Sequence, residues 1–225
     1  MKNELIILAD SYEKSPIIKG LVKLLPYGSA GDSIFSTFFS NLKKKKYHTF
    51  FDELQSGKIQ LTENVIQTDD FLHAFFSTVN YVERTKEDEK IRRFARILLN
   101  VGLRKITFSE FEDYSAIFNE LSDREFALLV LKHRYEQKYY PEPGESEFKL
   151  NGEPQNPKQI TNLYWSDFIR EVTEDLSINA DEIKPILYRL ERTGCYLAHK
   201  DYPYSGFNGD GNTTALFHNL LRIID

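Results

Sequence analysis

A single cysteine, Cys195, excludes any disulfide within the chain, so packing and hydrogen bonds must hold the fold. One such residue gives no sign of an oxidising compartment. With 11 Gly and 8 Pro in 225 residues, the chain is also too poor in breakers to be a low-complexity polymer. No apolar run can cross a bilayer. Pro16 to Leu42 is apolar overall, but Lys19, Lys23 and Asp32 interrupt it, and a span needs about 20 nearly uncharged residues. The apolar start Leu5 to Ala9 is too short for a secretory leader and has no cleavage pattern, so a cytoplasmic location is expected. GxSxG, P-loop and GxGxxG motifs are missing. No catalytic residue, cofactor or metal is therefore expected.

What the chain has instead is aromatic and apolar mass. It holds 17 Phe and 13 Tyr within 41% hydrophobic residues, enough for a real core in one or two domains. The net charge of −5 hides an asymmetry. Residues 1–105 carry 17 Lys+Arg against 13 Asp+Glu, whereas 106–225 carry 12 against 21. A polyanion-binding surface is thus expected in the first half.

The first half reads as helices. Ser15-Pro16 is a capping residue followed by proline at the first helical position, and Ile17, Ile18, Leu21, Val22 and Leu25 form its apolar stripe up to Pro26. A long amphipathic helix is expected over about 30–56, with Ile34, Phe35, Phe38, Phe39, Leu42, Phe50, Phe51 and Leu54 apolar and Gly57 as terminator. Such a helix would reach about 40 Å; it either breaks near Lys43 to Lys46 or projects to meet a partner. Thr68 opens the next helix, with Phe71, Leu72, Phe75, Phe76, Val79 and Val82 inward. Thr85 opens another that Gly102 closes, and Ser109-Glu-Phe-Glu112 starts a short one.

The last sixty residues carry the only order of elements that implies a tertiary plan. Ser122-Asp-Arg-Glu125 matches a capping box ahead of the apolar helix Phe126 to Tyr135. Residues 138–163 hold four prolines and Phe148-Lys-Leu-Asn-Gly152, the pattern of a small hairpin turning at Asn-Gly. Ser166 can cap a helix with Phe168, Ile169, Val172 and Leu176 inward; Asn179-Ala-Asp-Glu182 is a second capping box, and Gly194 ends its helix. Pro185 argues against a straight course there. A strand (195–200), a Gly- and aromatic-rich loop (201–212) and a final helix capped by Thr213 or Thr214 follow. The fold class expected is mainly α: a helical domain over 1–120, then a winged-helix-like domain over 121–225 with a small β wing and an insertion near 138–163. A helical hairpin with a disordered loop is the alternative.

Candidate contact residues follow from exposure and charge. Phe35, Phe38, Phe39 and Leu42 form a candidate interface. Lys43, Lys44, Lys45 and Lys46 fan around a helix as a collar, and Arg92, Arg93 and Arg96 share part of one face with Glu89 in pairing range; these seven are the candidate polyanion contacts. The exposed face of the second winged-helix helix would carry Lys184, Tyr188, Arg189 and Arg192. Yet its leading positions are Asp181 and Glu182, and residues 160–225 hold 6 Lys+Arg against 10 Asp+Glu. Because phosphate neutralisation dominates DNA affinity, DNA reading by this module is disfavoured. Asp70-x-x-His73 lacks a second pair in register, and His48, His133, His199 and His218 show no ligand spacing. Asn208-Gly-Asp-Gly-Asn212 departs from a calcium loop where its Gly and closing Glu should stand.

From Ser15-Pro16 through Leu54, across the helix pair Asp69 to Leu99, to the end Ser166 to Ile224, the chain resembles a loose group of uncharacterised bacterial and prophage helical proteins with a winged-helix-like end. The resemblance implies helical folding with a C-terminal winged helix, in a bacterial or prophage-like setting, and brings no site residues with it. The function expected is a non-enzymatic interaction or regulatory protein, self-associating through the Phe-rich N-terminal helices or binding another protein. The alternatives are a DNA-binding winged-helix regulator and a peripheral membrane protein attached through residues 16–42.

Overall fold

The computed structural model describes the backbone of residues 2–25, 34–56, 61–139, 149–150, 153–154, 157–198 and 211–224. Side chains are described over 7–25, 41–56, 61–139, 164–198 and 211–224. The chain is mainly helical with small antiparallel strand pairs. It divides into two units, residues 1–119 with 222–225, and residues 120–221.

In the first unit, α1 (Lys2–Ser11) and α2 (Pro16–Lys23) precede α3 (Ile34–Ser56). Pro16 stands in the first turn of α2 with Ser15 extended before it, as the sequence requires. The helix α3 is unbroken through the four lysines. Its C-terminal half buries Tyr47, Phe50, Phe51 and Leu54 against α5 (Asp69–Arg84) and α6 (Asp88–Gly102), which follow the short α4 (Glu63–Ile66). Tyr12, after α1, donates to Asp52 Oδ1 at 2.7 Å and ties that helix to α3.

Three sequence expectations in this unit change. Thr85 closes α5 rather than opening α6, its hydroxyl donating to the Tyr81 carbonyl at 2.9 Å. The helix α7 (Phe108–Glu120) starts from Thr107 instead of Ser109: Thr107 N–H donates to Glu110 at 2.7 Å, and Glu110 N–H donates back to Thr107 Oγ1 at 3.2 Å. That start puts buried Ile106 and Phe111 at the two positions of a hydrophobic staple. Phe76, placed inward by its spacing, is instead 41% exposed; the stripe on α5 is narrower than its run of apolar residues.

In the second unit, α8 (Asp123–Tyr139) opens with the reciprocal Ser122–Glu125 box: Ser122 N–H donates to Glu125 at 2.8 Å and Glu125 N–H to Ser122 Oγ at 3.3 Å. The two-residue strands β1 (Lys149–Leu150) and β2 (Glu153–Pro154) pair antiparallel, with Leu150 opposite Glu153 on either side of Asn151-Gly152. The helix α9 runs over Pro157–Leu176, nine residues before the expected cap Ser166 included, because Pro157 is itself a favourable first residue. After α10 (Ala180–Glu191), Gly194 takes φ +74°, the left-handed stop its residue type allows. Pro185 lies inside α10 without interrupting it.

The strands β3 (Tyr196–Ala198) and β4 (Gly211–Thr213) pair antiparallel, Tyr196 opposite Thr213; β3 starts one residue after the expected Cys195, and residues 199–200 of that expectation lie outside the described residues. Thr214, rather than Thr213, caps α11 (Ala215–Ile224) by accepting from Phe217 N–H at 3.3 Å. That leaves the Thr213 side chain free to turn inward.

Candidate functional site

The residues singled out for surface roles prove to be occupied to different degrees. Phe35, Phe38 and Phe39 lie on α3, but their side chains fall outside the described residues; Leu42 is described and is 42% exposed. The lysine collar is only partly solvated. Lys46 is buried and donates to the Glu83 carbonyl at 2.6 Å, Lys43 pairs with Glu83 at 2.9 Å, and Lys45 pairs with Asp88 at 2.9 Å. Lys44 is half-buried. Burial, the largest influence, pulls the Lys46 ammonium below its ordinary range, while Glu83 pulls the other way. Arg92 pairs with Glu89 at 3.1 Å and Arg93 with the same carboxylate at 3.7 Å. Arg96 reaches Glu53 at 2.7 Å and donates to the Ile224 carbonyl at 2.6 Å. On α10, Lys184 is half-buried, Tyr188 and Arg192 are exposed, and Arg189 is held by the buried Glu125 at 2.6 Å.

Chemistry converges elsewhere, in the second unit, around Thr213. The β4 strand delivers Thr213 against one face of α8, where His133 and Glu136 stand three residues apart, and α11 brings His218 to the same place. Thr213 N–H donates to Glu136 Oε1 at 3.0 Å, and its hydroxyl contacts Glu136 Oε2 closely. The same hydroxyl lies 3.3 Å from His133 Nδ1 and 2.8 Å from His218 Nε2. The two imidazole rings are 4.2 Å apart between centroids.

Donor counting fixes the protons. A hydroxyl offers one hydrogen, and an ionised carboxylate only accepts. Thr213 therefore donates to Glu136, and both imidazoles donate to Thr213 Oγ1, His133 through Nδ1–H and His218 through Nε2–H. Burial is the main influence pushing both imidazoles below the ordinary histidine range. His133 is lowered further by His218, and Glu136 opposes the shift in each. Behind Glu136, Lys132 is fully enclosed, donating to Glu136 Oε1 at 2.9 Å and to the Tyr164 hydroxyl at 2.6 Å. One ion pair thus stands at the floor of the cluster, with Glu136 buried, His133 half-buried and His218 exposed at its mouth.

One local sign of this site exists, the i, i+3 pair His133 and Glu136 on a helical face, and the expectation that His133 and His218 are scattered is corrected by the return of α11 to α8. His133, Glu136 and His218 each present a ligand atom within 4.8 Å of the others. Asp70 and His73 are both exposed, and the His73 ring lies against Phe108 at 6.2 Å between centroids. In the first unit a recess of about 400 Å³ opens beside Gly102. Asp70, Glu110, Arg104 and Lys105 line it together, so it has no field of one sign. Cys195 is buried, and burial pushes its thiol up, away from the reactive thiolate. No protein-family model, curated protein or solved structure matches the chain. Among the described residues, no helix is long and apolar enough to cross a membrane.

Proposed function

We propose that the chain is a non-enzymatic interaction or regulatory protein that self-associates through its N-terminal helices. The observation that carries this reading is Leu42. At about 100° per residue, it lies roughly a third of a turn from the α3 face that buries Tyr47, Phe50, Phe51 and Leu54, and it is 42% exposed. Ile7 on α1 and Leu24 at the end of α2 are exposed as well, at 53% and 45%, and these helices contact one another and α3. Large apolar side chains left exposed favour burial against a partner, and a second copy is the simplest partner. Light scattering on the full chain across micromolar concentrations tests it. A dimer that Leu42→Asp converts to a monomer is expected; a monomeric parent chain at every concentration overturns the reading.

A second reading, a DNA-binding winged helix, is favoured by one specific feature: the antiparallel β3–β4 pair directly follows α10, in the order of a wing after its helix pair. Electrostatics opposes it. Asp181 and Glu182 are exposed in the first turn of α10, the end that would approach phosphate, and Arg189 is already held by Glu125. Retardation of duplex DNA at low salt would promote this reading over the first.

A further inference from the structure

We propose that His133, Glu136 and His218 bind one divalent transition-metal ion of the zinc class, with the Thr213 hydroxyl beside its fourth position. This goes beyond the interaction reading and does not depend on it.

The donor set points to that class of ion. Two imidazoles and one carboxylate suit zinc and its neighbours, whereas calcium and magnesium prefer oxygen alone. Three protein ligands leave a position open for water or a hydroxyl. The three ligand atoms already lie within 4.8 Å of one another. Bonds of about 2.0–2.2 Å at a tetrahedral centre require separations near 3.3 Å, so closure needs movements of about 1.5 Å or less. The exposed His218 side chain can supply most of that movement by rotating about its own bonds, and it leaves the mouth accessible.

Glu136 is held from behind by Lys132 Nζ and the Thr213 N–H, the kind of outer support that fixes a ligating carboxylate. Without a metal, Nδ1 of His133 and Nε2 of His218 donate to Thr213. With one, each ring holds its proton on the far nitrogen and turns its lone pair inward; no net proton is released by that exchange. The cation would join β4, α8 and α11 at a single point. Lys132 opposes a dication, because its charge already compensates Glu136, and this sets the affinity below that of a dedicated structural zinc site.

Zinc and cobalt(II) are the probes. Titration of the full chain, followed by calorimetry for zinc and by visible absorption for cobalt, should give one equivalent with the spectrum of a low-coordinate nitrogen–oxygen site. His218→Ala, at an exposed position that leaves the fold intact by circular dichroism, should weaken binding at least about 100-fold, the upper part of the range seen even for outer-shell changes. A second measurement needs no variant: on zinc addition, the ring nitrogens of His133 and His218 should shift in a long-range nitrogen–proton spectrum. Equal zinc affinity in His218→Ala, or ring-nitrogen shifts confined to the other histidines, would overturn the site. Absence of any binding at zinc concentrations that saturate weak surface histidines would do the same, leaving Thr213 as a hydrogen-bond hub only.

Discussion

Lys132 and Glu136, one turn apart on α8, form an ion pair of 2.9 Å in which the lysine has no solvent exposure. Such a pair gives back in Coulomb attraction and hydrogen bonds about what its desolvation costs, but removing one partner leaves the other uncompensated. Lys132→Met is therefore expected to destabilise the chain by about 3–5 kcal/mol. Lys132→Met together with Glu136→Gln should cost clearly less than the sum of the single changes. Urea unfolding of the four proteins measures the coupling; additive losses would show that the pair is not acting as a unit.

The C-terminal end of α6 separates two roles that a glycine could play. Gly102 is not the left-handed residue: a Cβ there would meet Leu61 Cδ2 at 2.6 Å and Phe71 Cε2 at 3.3 Å, so it is needed for close approach. The left-handed residue is Arg104, at φ 53°. Gly102→Ala should destabilise by about 1–3 kcal/mol through overpacking. Arg104→Gly should stabilise by up to about 1 kcal/mol by relieving the Cβ clash, after the entropy of glycine is subtracted. Thermal unfolding of both variants decides, and the opposite pair of signs would refute this division.

The helix boundaries show how far the sequence could be read. Ser122–Glu125 and Asn179–Glu182 were legible as capping boxes, and Gly194 as a stop, because each acts within four residues of itself. Thr107-Phe-Ser-Glu110 and Ser109-Glu-Phe-Glu112 both match the pattern, and the choice between them depends on what surrounds them. The true start has buried residues at the staple positions, Ile106 and Phe111, as do Leu121 and Phe126 around Ser122, and Ile178 and Ile183 around Asn179. The cluster at Thr213 was not legible beyond the His133 and Glu136 pair. His218 joins it only because β4 pairs with β3 and returns α11 to α8, a tertiary event with no local signature.

Acid should weaken the second unit through Glu125. Burial, the largest influence, raises its pKa, but donation from the Ser122 side chain and backbone, together with Arg189, outweighs it and holds the carboxyl below its usual 4.5. The folded value is thus depressed relative to the unfolded one. The stabilisation is fully present above about pH 4.5 and is lost as pH falls through the folded value. Glu83 acts in the same direction in the first unit: burial raises it, and Tyr47 and Lys43 more than compensate. Melting temperature should therefore fall below pH 4.5, and Glu125→Gln, whose amide oxygen can still accept from Ser122, should flatten that fall while costing up to about 1 kcal/mol at neutral pH through the lost ion pair with Arg189. An unchanged acid profile in Glu125→Gln would remove this carboxylate from the account.

Thr213 is the residue on which the candidate site turns, because its hydroxyl meets Glu136, His133 and His218 at once. Thr213→Val keeps the volume and the β-branched shape favoured in a strand, yet leaves the two imidazole N–H groups facing a methyl and takes one donor from Glu136. Unsatisfied buried polar groups cost about 1–3 kcal/mol each, with exposed groups regaining water. Since His218 is exposed and His133 half-buried, a loss near the lower end, about 1–2 kcal/mol, is expected. Thr213→Ser restores the hydroxyl and should recover most of it. If valine costs nothing while serine destabilises, the methyl rather than the hydroxyl is what the site requires, and the donor pattern assigned to His133 and His218 fails with it.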